Sequence, residues 1–323
     1  MVDINFAREQ LPECTVSLFD DIVKSRVLGA SKQTNLIADM IISIAEDSNN
    51  SNDMIINKAK IVAEYFLQTR GQNSRAIYNG ICLIMKCFNE IKIEDNNFRN
   101  KIIEQVKNFK SFAIKDAETS AQLAADICNS LDSILVFDYS STANRMIELI
   151  SKRIKLYIPE SRALNGGRPF LKSAVNSNHD VKFIPDTTMM EAMKKCDAAF
   201  IGAETLYPDG SVFNSIGSDI LAVICKELNK PLYVVSQLIK VDIRAAKGFV
   251  RPEPMQFDYS IRLAENWTEE EKKGIDFKGI KLVKIESNKV SKIITEKGMF
   301  TPKEFYDISM EYGNDLERSI YVN

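Results

Sequence analysis

Between Pro12 and Pro159 the chain contains no proline. Proline lacks a backbone donor and clashes with the preceding turn, so so long a run without it leaves long helices unobstructed. From about Leu18 to Asn129, apolar residues recur at helical spacing. Leu36, Ile37, Met40, Ile41 and Ile44 form one such stripe, and Ile56, Ala59, Ile61, Val62, Tyr65 and Phe66 another. The polar segments Glu46–Asp53 and Glu94–Asn97 interrupt the pattern. The spacing predicts a helical domain over residues 1–129. Within it, Leu28–Lys32 places a glycine before a helix, and Thr69–Arg75 is a polar, basic segment between helices. On residue pattern alone both read as interhelical turns.

After Leu131 the pattern changes. Apolar runs at Ile134–Tyr139, Ile154–Pro159, Lys182–Pro185, Ala198–Gly202, Leu232–Val235 and Ile280–Ile285 read as strands. Helical stretches at Ala143–Lys152, Phe170–Val175, Met189–Lys195 and Ile220–Leu228 lie between most of them. Strands alternating with helices imply a parallel sheet covered on both faces. The expected class is therefore α/β: an N-terminal helical domain, then a Rossmann-like, mainly parallel domain over residues 130–323. Val241–Gly279, with its Arg-Pro-Glu-Pro run, is less regular and reads as a loop over the sheet edge.

Charge excludes some partners. With 42 basic and 44 acidic residues the net charge is −2, so no nucleic-acid or membrane footprint is expected. The N-terminal stretch has no apolar signal core, and no uncharged run is long enough to span a bilayer. Six scattered cysteines without a C-x-x-C pair fit core thiols in a reducing, cytoplasmic setting. The single histidine, His179, lies in a turn-like segment and is expected on a loop surface. One histidine and dispersed cysteines argue against a metal centre of those ligands.

The predicted strand ends carry the chemistry. The first ends in Phe137-Asp138-Tyr139-Ser140-Ser141-Thr142, which also reads as helix caps. The second leads into Pro159–Arg168, where Gly166 and Gly167 lie between Arg162 and Arg168, a basic loop able to approach an anion. The fourth is followed by Glu204, a Pro-Asp-Gly turn, Asn214, and Gly217 at a predicted helix start, where free N–H groups favour anions. The fifth leads to Lys240. Neither G-x-x-x-x-G-K-[ST] nor G-x-G-x-x-G is present, so no standard nucleotide loop is expected. Two carboxylates, several cations and hydroxyl- or glycine-rich turns suit a small, phosphorylated, polyhydroxylated ligand.

These segments resemble a known family. I-L-V-F-D-Y-S-S-T, P-E-S-R-A-L-N-G-G-R, the G-A-E…D-G…N-S-I-G-S run, P-L-Y-V-V-S-Q-L-I-K and I-I-T-E-K-G-M-F-T-P span Ile134 to Pro302. They are similar to the family uniting the alpha, beta and delta subunits of translation initiation factor 2B with methylthioribose-1-phosphate isomerase and ribose-1,5-bisphosphate isomerase. The helical half resembles that family more loosely, through V-L-G-A-S and N-S-R-A. The resemblance implies that Gly29 and Ala30 offer backbone N–H groups to a phosphate and that Arg75 pairs with one. It also puts Asn214 and Lys240 on ligand-binding positions, and it implies a homodimer through the C-terminal half. A translation-related protein partner follows from the family analogy alone. Several positions depart from the isomerases. Leu28 and Ser215 stand where those enzymes carry cations, and Asp138 and Glu204 stand at their catalytic cysteine and aspartate.

Two functions follow as expectations. One is a protein that binds a sugar phosphate or related small phosphorylated ligand. The alternative is an aldose–ketose sugar-phosphate isomerase that uses Asp138 and Glu204 without metal or nucleotide cofactor. There Glu204 acts at the sugar oxygens and Asp138 handles the carbon-bound hydrogen. Gly29, Arg75, Arg162, Gly167, Asn214 and Lys240 are expected to border a single ligand site with the two carboxylates.

Overall fold

The fold is described here from a computed structural model, covering residues 2–27, 29–251 and 256–320. Leu28 and the Pro-Glu-Pro part of the Arg-Pro-Glu-Pro run lie outside the described residues. The helical half forms where apolar stripes meet good caps. Its helices are α1 (Ile4–Glu9), α2 (Glu13–Val23), α3 (Ala30–Glu46), α4 (Asn52–Gln68), α5 (Arg70–Asn73), α6 (Arg75–Glu90) and α7 (Phe98–Cys128). The Asp3 carboxylate takes the amides of Asn5 and Phe6 at the start of α1, and the Ser51 hydroxyl takes that of Met54 at the start of α4. The basic segment Thr69–Arg75 is not a plain turn, because Arg70–Asn73 makes one helical turn of its own.

The strands are β1 (Ser133–Phe137), β2 (Lys155–Pro159), β3 (Asp180–Ile184), β4 (Ala198–Ile201), β5 (Thr205–Leu206), β6 (Val212–Ser215), β7 (Leu232–Val235), β8 (Gln256–Asp258), β9 (Lys278–Ile280), β10 (Leu282–Ile285), β11 (Lys292–Thr295) and β12 (Gly298–Phe300). They are accompanied by α8 (Ser141–Leu149), α9 (Leu171–Asn176), α10 (Met189–Met193), α11 (Ser218–Glu227), α12 (Ser260–Leu263), α13 (Glu269–Lys272) and α14 (Pro302–Ile320). No strand precedes Ser133 among the described residues. The central sheet runs β12-β11-β7-β4-β1-β2-β3. Its neighbours are parallel except for the antiparallel edge pair of β11 and β12. The chain is thus an α/β protein with an N-terminal helical part and a Rossmann-like sheet.

The topology fixes where a ligand belongs. From β1 the chain builds β2 and β3 to one side, then returns to place β4 and β7 on the other. The strand order therefore reverses between β1 and β4, and in open parallel sheets ligands occupy the carboxyl-end crevice at that point.

Two expectations are corrected. Ile280–Ile285 does not extend the central sheet, because β10 pairs antiparallel with β6 in a separate three-stranded sheet, β10-β6-β5. The physical reason is in the residues. Lys281 and Lys284 interrupt the apolar run, as suits a sheet with one solvated face. The outer parallel strand is β11, where Ile293 and Ile294 are fully buried. His179 is not on a loop surface: it is buried, its Nε2 lies 3.0 Å from the Ile147 carbonyl, and its Nδ1 accepts from the Ile154 amide at 3.5 Å. Of the six cysteines five are buried, and only Cys14 is exposed.

The chain divides into two compact units. One comprises residues 1–115, 239–241 and 311–323; the other comprises 116–238 and 242–310. The change from helices to strands falls near residue 130, whereas the division between the units falls inside α7. The first unit has a core of Phe19, Ile37, Ile41, Phe66, Ile81 and Phe98 among others. The core of the second includes Val136, Met146, Leu156, Phe170, Phe200 and Ile294. Each such side chain, fully buried, contributes about 1.5–3 kcal/mol relative to exposure.

Candidate functional site

Asp138 is the first residue beyond β1. It is buried and has φ 54°, a left-handed conformation uncommon for a side-chain-bearing residue. Ser161 just beyond β2, at φ 49°, and Asn165, at φ 57°, share that conformation. Such strained positions gather at functional sites, where the surrounding contacts hold them. Each carboxylate oxygen of Asp138 accepts one hydroxyl: Oδ1 from Ser161 at 2.7 Å, Oδ2 from Ser215 at 2.5 Å. Gly166 closes over the same group. A Cβ at that position would lie 1.8 Å from Asp138 Oδ1, so only glycine permits this approach. Burial raises the Asp138 pKa above the usual carboxylate value, while the Ser215 and Ser161 hydroxyls and the charge of Lys281 pull against it.

Glu204 lies across the topological switch. Ile201 at the end of β4 is in register with Phe137 at the end of β1. Asp138 and Glu204 thus follow adjacent ends of neighbouring central strands. The Glu204 side chain is half-buried, and its amide donates to the Phe213 carbonyl at 2.8 Å. That bond ties the β4 exit to the β5–β6 hairpin, whose turn holds Asp209 and Gly210. Asn214 and Ser215 are consecutive on β6, so they face opposite sides of the strand. Ser215 meets Asp138, and Asn214 Nδ2 donates to Ser218 Oγ at 2.9 Å. Gly217 caps α11 with φ 97°, a conformation that costs other residues a clash, so the glycine before this helix has a defined reason.

The remaining predicted residues fall in different surroundings. In the second unit, Arg162 is exposed, lies 3.9 Å from Glu160, and donates from Nη2 to the Arg262 carbonyl at 3.2 Å. Gly167 serves packing: a Cβ there would come within 2.0 Å of the Pro159 carbonyl oxygen, and its own amide bonds Glu160. In the first unit, Gly29 caps α3 and Ala30 is its first residue. Arg75 is the first residue of α6, buried, with its guanidinium 4.1 Å over the Tyr78 ring and Nη2 3.3 Å from Asn79 Oδ1. Asn79 Nδ2 in turn donates to the carbonyls of Ile239 and Val241 at 2.9 and 2.8 Å. These carbonyls flank Lys240, so one asparagine links Arg75 to the turn that carries the lysine. The structure therefore groups Asp138, Glu204 and Asn214 in one unit, and Arg75 and Lys240 in the other.

Residue pattern alone did not identify Ser161 and Ser215 as the partners of Asp138, nor Gly166 as its cover. Only the hydroxyls and glycines clustered after the strands hinted at them. Among the described residues, no group of three or more His, Cys, Asp or Glu side chains is placed to hold a metal ion. No described helix is long and apolar enough to cross a membrane. Chemically, the site has two carboxylates at the switch point, one of them buried and more readily protonated than an ordinary aspartate. That is equipment for moving a proton.

Fold and site define an α/β protein with its candidate ligand site at the carboxyl ends of β1 and β4. The chain belongs to the Initiation factor 2 subunit family, whose model matches residues 29–302. It is 24% identical over 229 residues to ribose 1,5-bisphosphate isomerase of Methanocaldococcus jannaschii, covering 70% of this chain and 73% of that protein. Among solved structures it is similar to 5-methylthioribose 1-phosphate isomerase of Pyrococcus horikoshii OT3, with TM-score 0.73, 18% identity, and 98% and 92% of the two chains covered. It is also similar to the translation initiation factor eIF-2B of the same organism, with TM-score 0.70, 21% identity, and 90% and 98% covered. These two structural likenesses concern the fold.

Proposed function

We propose that this protein is an aldose–ketose isomerase acting on a sugar phosphate, with Asp138 and Glu204 as its proton-transferring pair. The observation that carries the reading is their position at adjacent strand ends of the topological switch point, with Asp138 buried and its pKa raised. Isomerisation moves a hydrogen between neighbouring carbons and a proton between their oxygens. A buried carboxyl group that holds its proton more readily than an ordinary aspartate, beside a second carboxylate at the adjacent strand end, can divide that work. The relatives named as isomerases of ribose 1,5-bisphosphate and methylthioribose 1-phosphate support this chemistry. Asn214 would bind sugar hydroxyls. Gly29, Ala30, Arg75 and Lys240 would form a phosphate-binding group in the helical domain, residues 1–129, and the turn that follows β7. The protein would act as a homodimer.

A second reading is a binding protein without turnover. It is favoured by the two serine hydroxyls that occupy both oxygens of Asp138. A panel of pentose mono- and bisphosphates and methylthioribose 1-phosphate separates the two, with thermal shift for binding and NMR for conversion. The isomerase reading expects conversion of at least one member. It also expects a loss of roughly 10²–10⁴-fold in kcat for Glu204→Gln, with affinity preserved. Binding without any conversion would favour the second reading.

A further inference from the structure

Asp138 is a buried carboxylate whose side-chain hydrogen-bond partners, the Ser161 and Ser215 hydroxyls, carry no charge. A buried charge without a counter-charge is costly. The elements around Asp138 were searched for one. Beyond β2, Arg162 lies 3.9 Å from Glu160 and donates to the Arg262 carbonyl. Both oxygens of Asp186 accept backbone amides there, from Ser161 and Arg162, at 2.8 Å each. Beyond β4 stands Glu204, of like charge. The link between β9 and β10 carries Lys281.

Strand register brings Lys281 toward Asp138. Leu282 on β10 is directly opposed to Ser215 on β6, and Ser215 is the residue that bonds Asp138 Oδ2. Lys281 immediately precedes Leu282, and its carbonyl accepts the Ile216 amide at 3.0 Å. The β8–β9 hairpin holds this link in place. The Tyr259 hydroxyl donates to the Ile280 carbonyl, and a Cβ at Gly279 would fall 2.3 Å from the Tyr259 ring and push it away. Lys281 is exposed, and its Nζ lies 5.9 Å from the centre of the Phe257 ring. Among the described residues no carboxylate forms an ion pair with it. Its flexible four-carbon stem leaves the ammonium able to turn toward Asp138. The charge of Lys281 lowers the Asp138 pKa against the larger, opposite effect of burial.

We infer that Lys281 is a positioning residue for Asp138, the counter-charge that the β9–β10 link presents to the buried carboxylate. This rests on the isomerase reading above, in which Asp138 takes the carbon-bound hydrogen as a proton. A carboxylate can accept that proton only while ionised, and Lys281 favours the ionised form.

The test joins a double-mutant cycle to pH–rate profiles. Lys281→Gln, Asp138→Asn and the double variant are unfolded in urea near pH 8 and near pH 4. The dependence of kcat/KM on pH is measured with ribose 1,5-bisphosphate for wild type, Lys281→Gln and Lys281→Arg. Near pH 8, Lys281→Gln should lower the urea midpoint of the wild-type protein and leave that of Asp138→Asn unchanged. Near pH 4, where Asp138 is more fully protonated, the loss should shrink. In Lys281→Gln the limb of the profile due to Asp138 should move to higher pH by about half a unit or more. Lys281→Arg should restore it, and added salt should shrink the difference because the ammonium is exposed. An equal midpoint loss in both backgrounds near pH 8 would overturn the assignment, and so would an arginine variant that behaves like the glutamine one. If wild type converts the sugar in those cases, the isomerase reading stands and only the role of Lys281 falls. Coupling in the cycle without turnover by wild type would keep the charge pairing and overturn the isomerase reading.

Discussion

Glu296 offers a sharp test of the electrostatics at the sheet's carboxyl edge. It follows β11 directly, is half-buried, and both its oxygens accept from the Leu238 amide just beyond β7, at 3.3 and 3.2 Å. Burial first, and then the charge of Asp116, push its pKa from 4.5 up to about 7; the backbone amides and Lys297 act the other way. Between these values the folded protein holds a proton that the unfolded chain has released, so stability falls as pH rises from about 4.5 to about 7 and is then level. The difference of roughly 2.5 units at 1.36 kcal/mol per unit gives a penalty on the order of 3 kcal/mol at pH 8. Glu296→Gln keeps an acceptor for the Leu238 amide and removes the ionisation. In urea unfolding at a series of pH values, the variant should match wild type near pH 4 and become more stable by up to about 3 kcal/mol at pH 8. For a unit of this size that corresponds to several degrees in Tm. A difference independent of pH, or one of opposite sign, would refute the reasoning.

Other perturbations probe the Asp138 clamp. Ser215→Ala removes a hydroxyl that favours the charged carboxylate. It should cost about 1–3 kcal/mol of stability and move the limb of the pH–rate profile due to Asp138 to higher pH; an unmoved limb would count against Asp138 as the titrating group. Gly166→Ala drives a methyl into Asp138 Oδ1 and should cost about 1–3 kcal/mol or more in urea unfolding, with activity falling further than stability. Asn79→Leu removes the two bonds to the carbonyls flanking Lys240 and should weaken binding of a sugar phosphate in calorimetry while leaving the pH–rate profile in place.

Much of the fold could be read from the sequence because its signals are local. The missing prolines, the helical stripes, and the glycines before α3 and α11 each act over a few residues. The apolar runs gave β1, β2, β4 and β7 nearly to their ends. Sheet membership was harder. Ile280–Ile285 and Lys292–Thr295 are both short and apolar, and only tertiary pairing decides which joins the parallel sheet. The strand-end positions of Asp138 and Glu204 could be read in the same way. The surroundings of Asp138 could not, because its hydroxyl partners come from 23 and 77 residues along the chain. The reason for Gly166 and Gly167 was also hidden. Their lack of a side chain reads as freedom to approach an anion, whereas in the fold it makes room for Asp138 and Pro159.

The central claim is that the carboxylate pair at the switch point moves protons on a sugar phosphate. The most direct measurement follows ribose 1,5-bisphosphate by ³¹P and ¹H NMR with wild type and Asp138→Asn, alongside calorimetric binding of the same sugar to both. The account predicts a ketose bisphosphate product with wild type. With Asp138→Asn it predicts a rate lower by roughly 10²–10⁴-fold while affinity changes little. Tight binding by wild type with no product, or equal turnover by the two proteins, would contradict it.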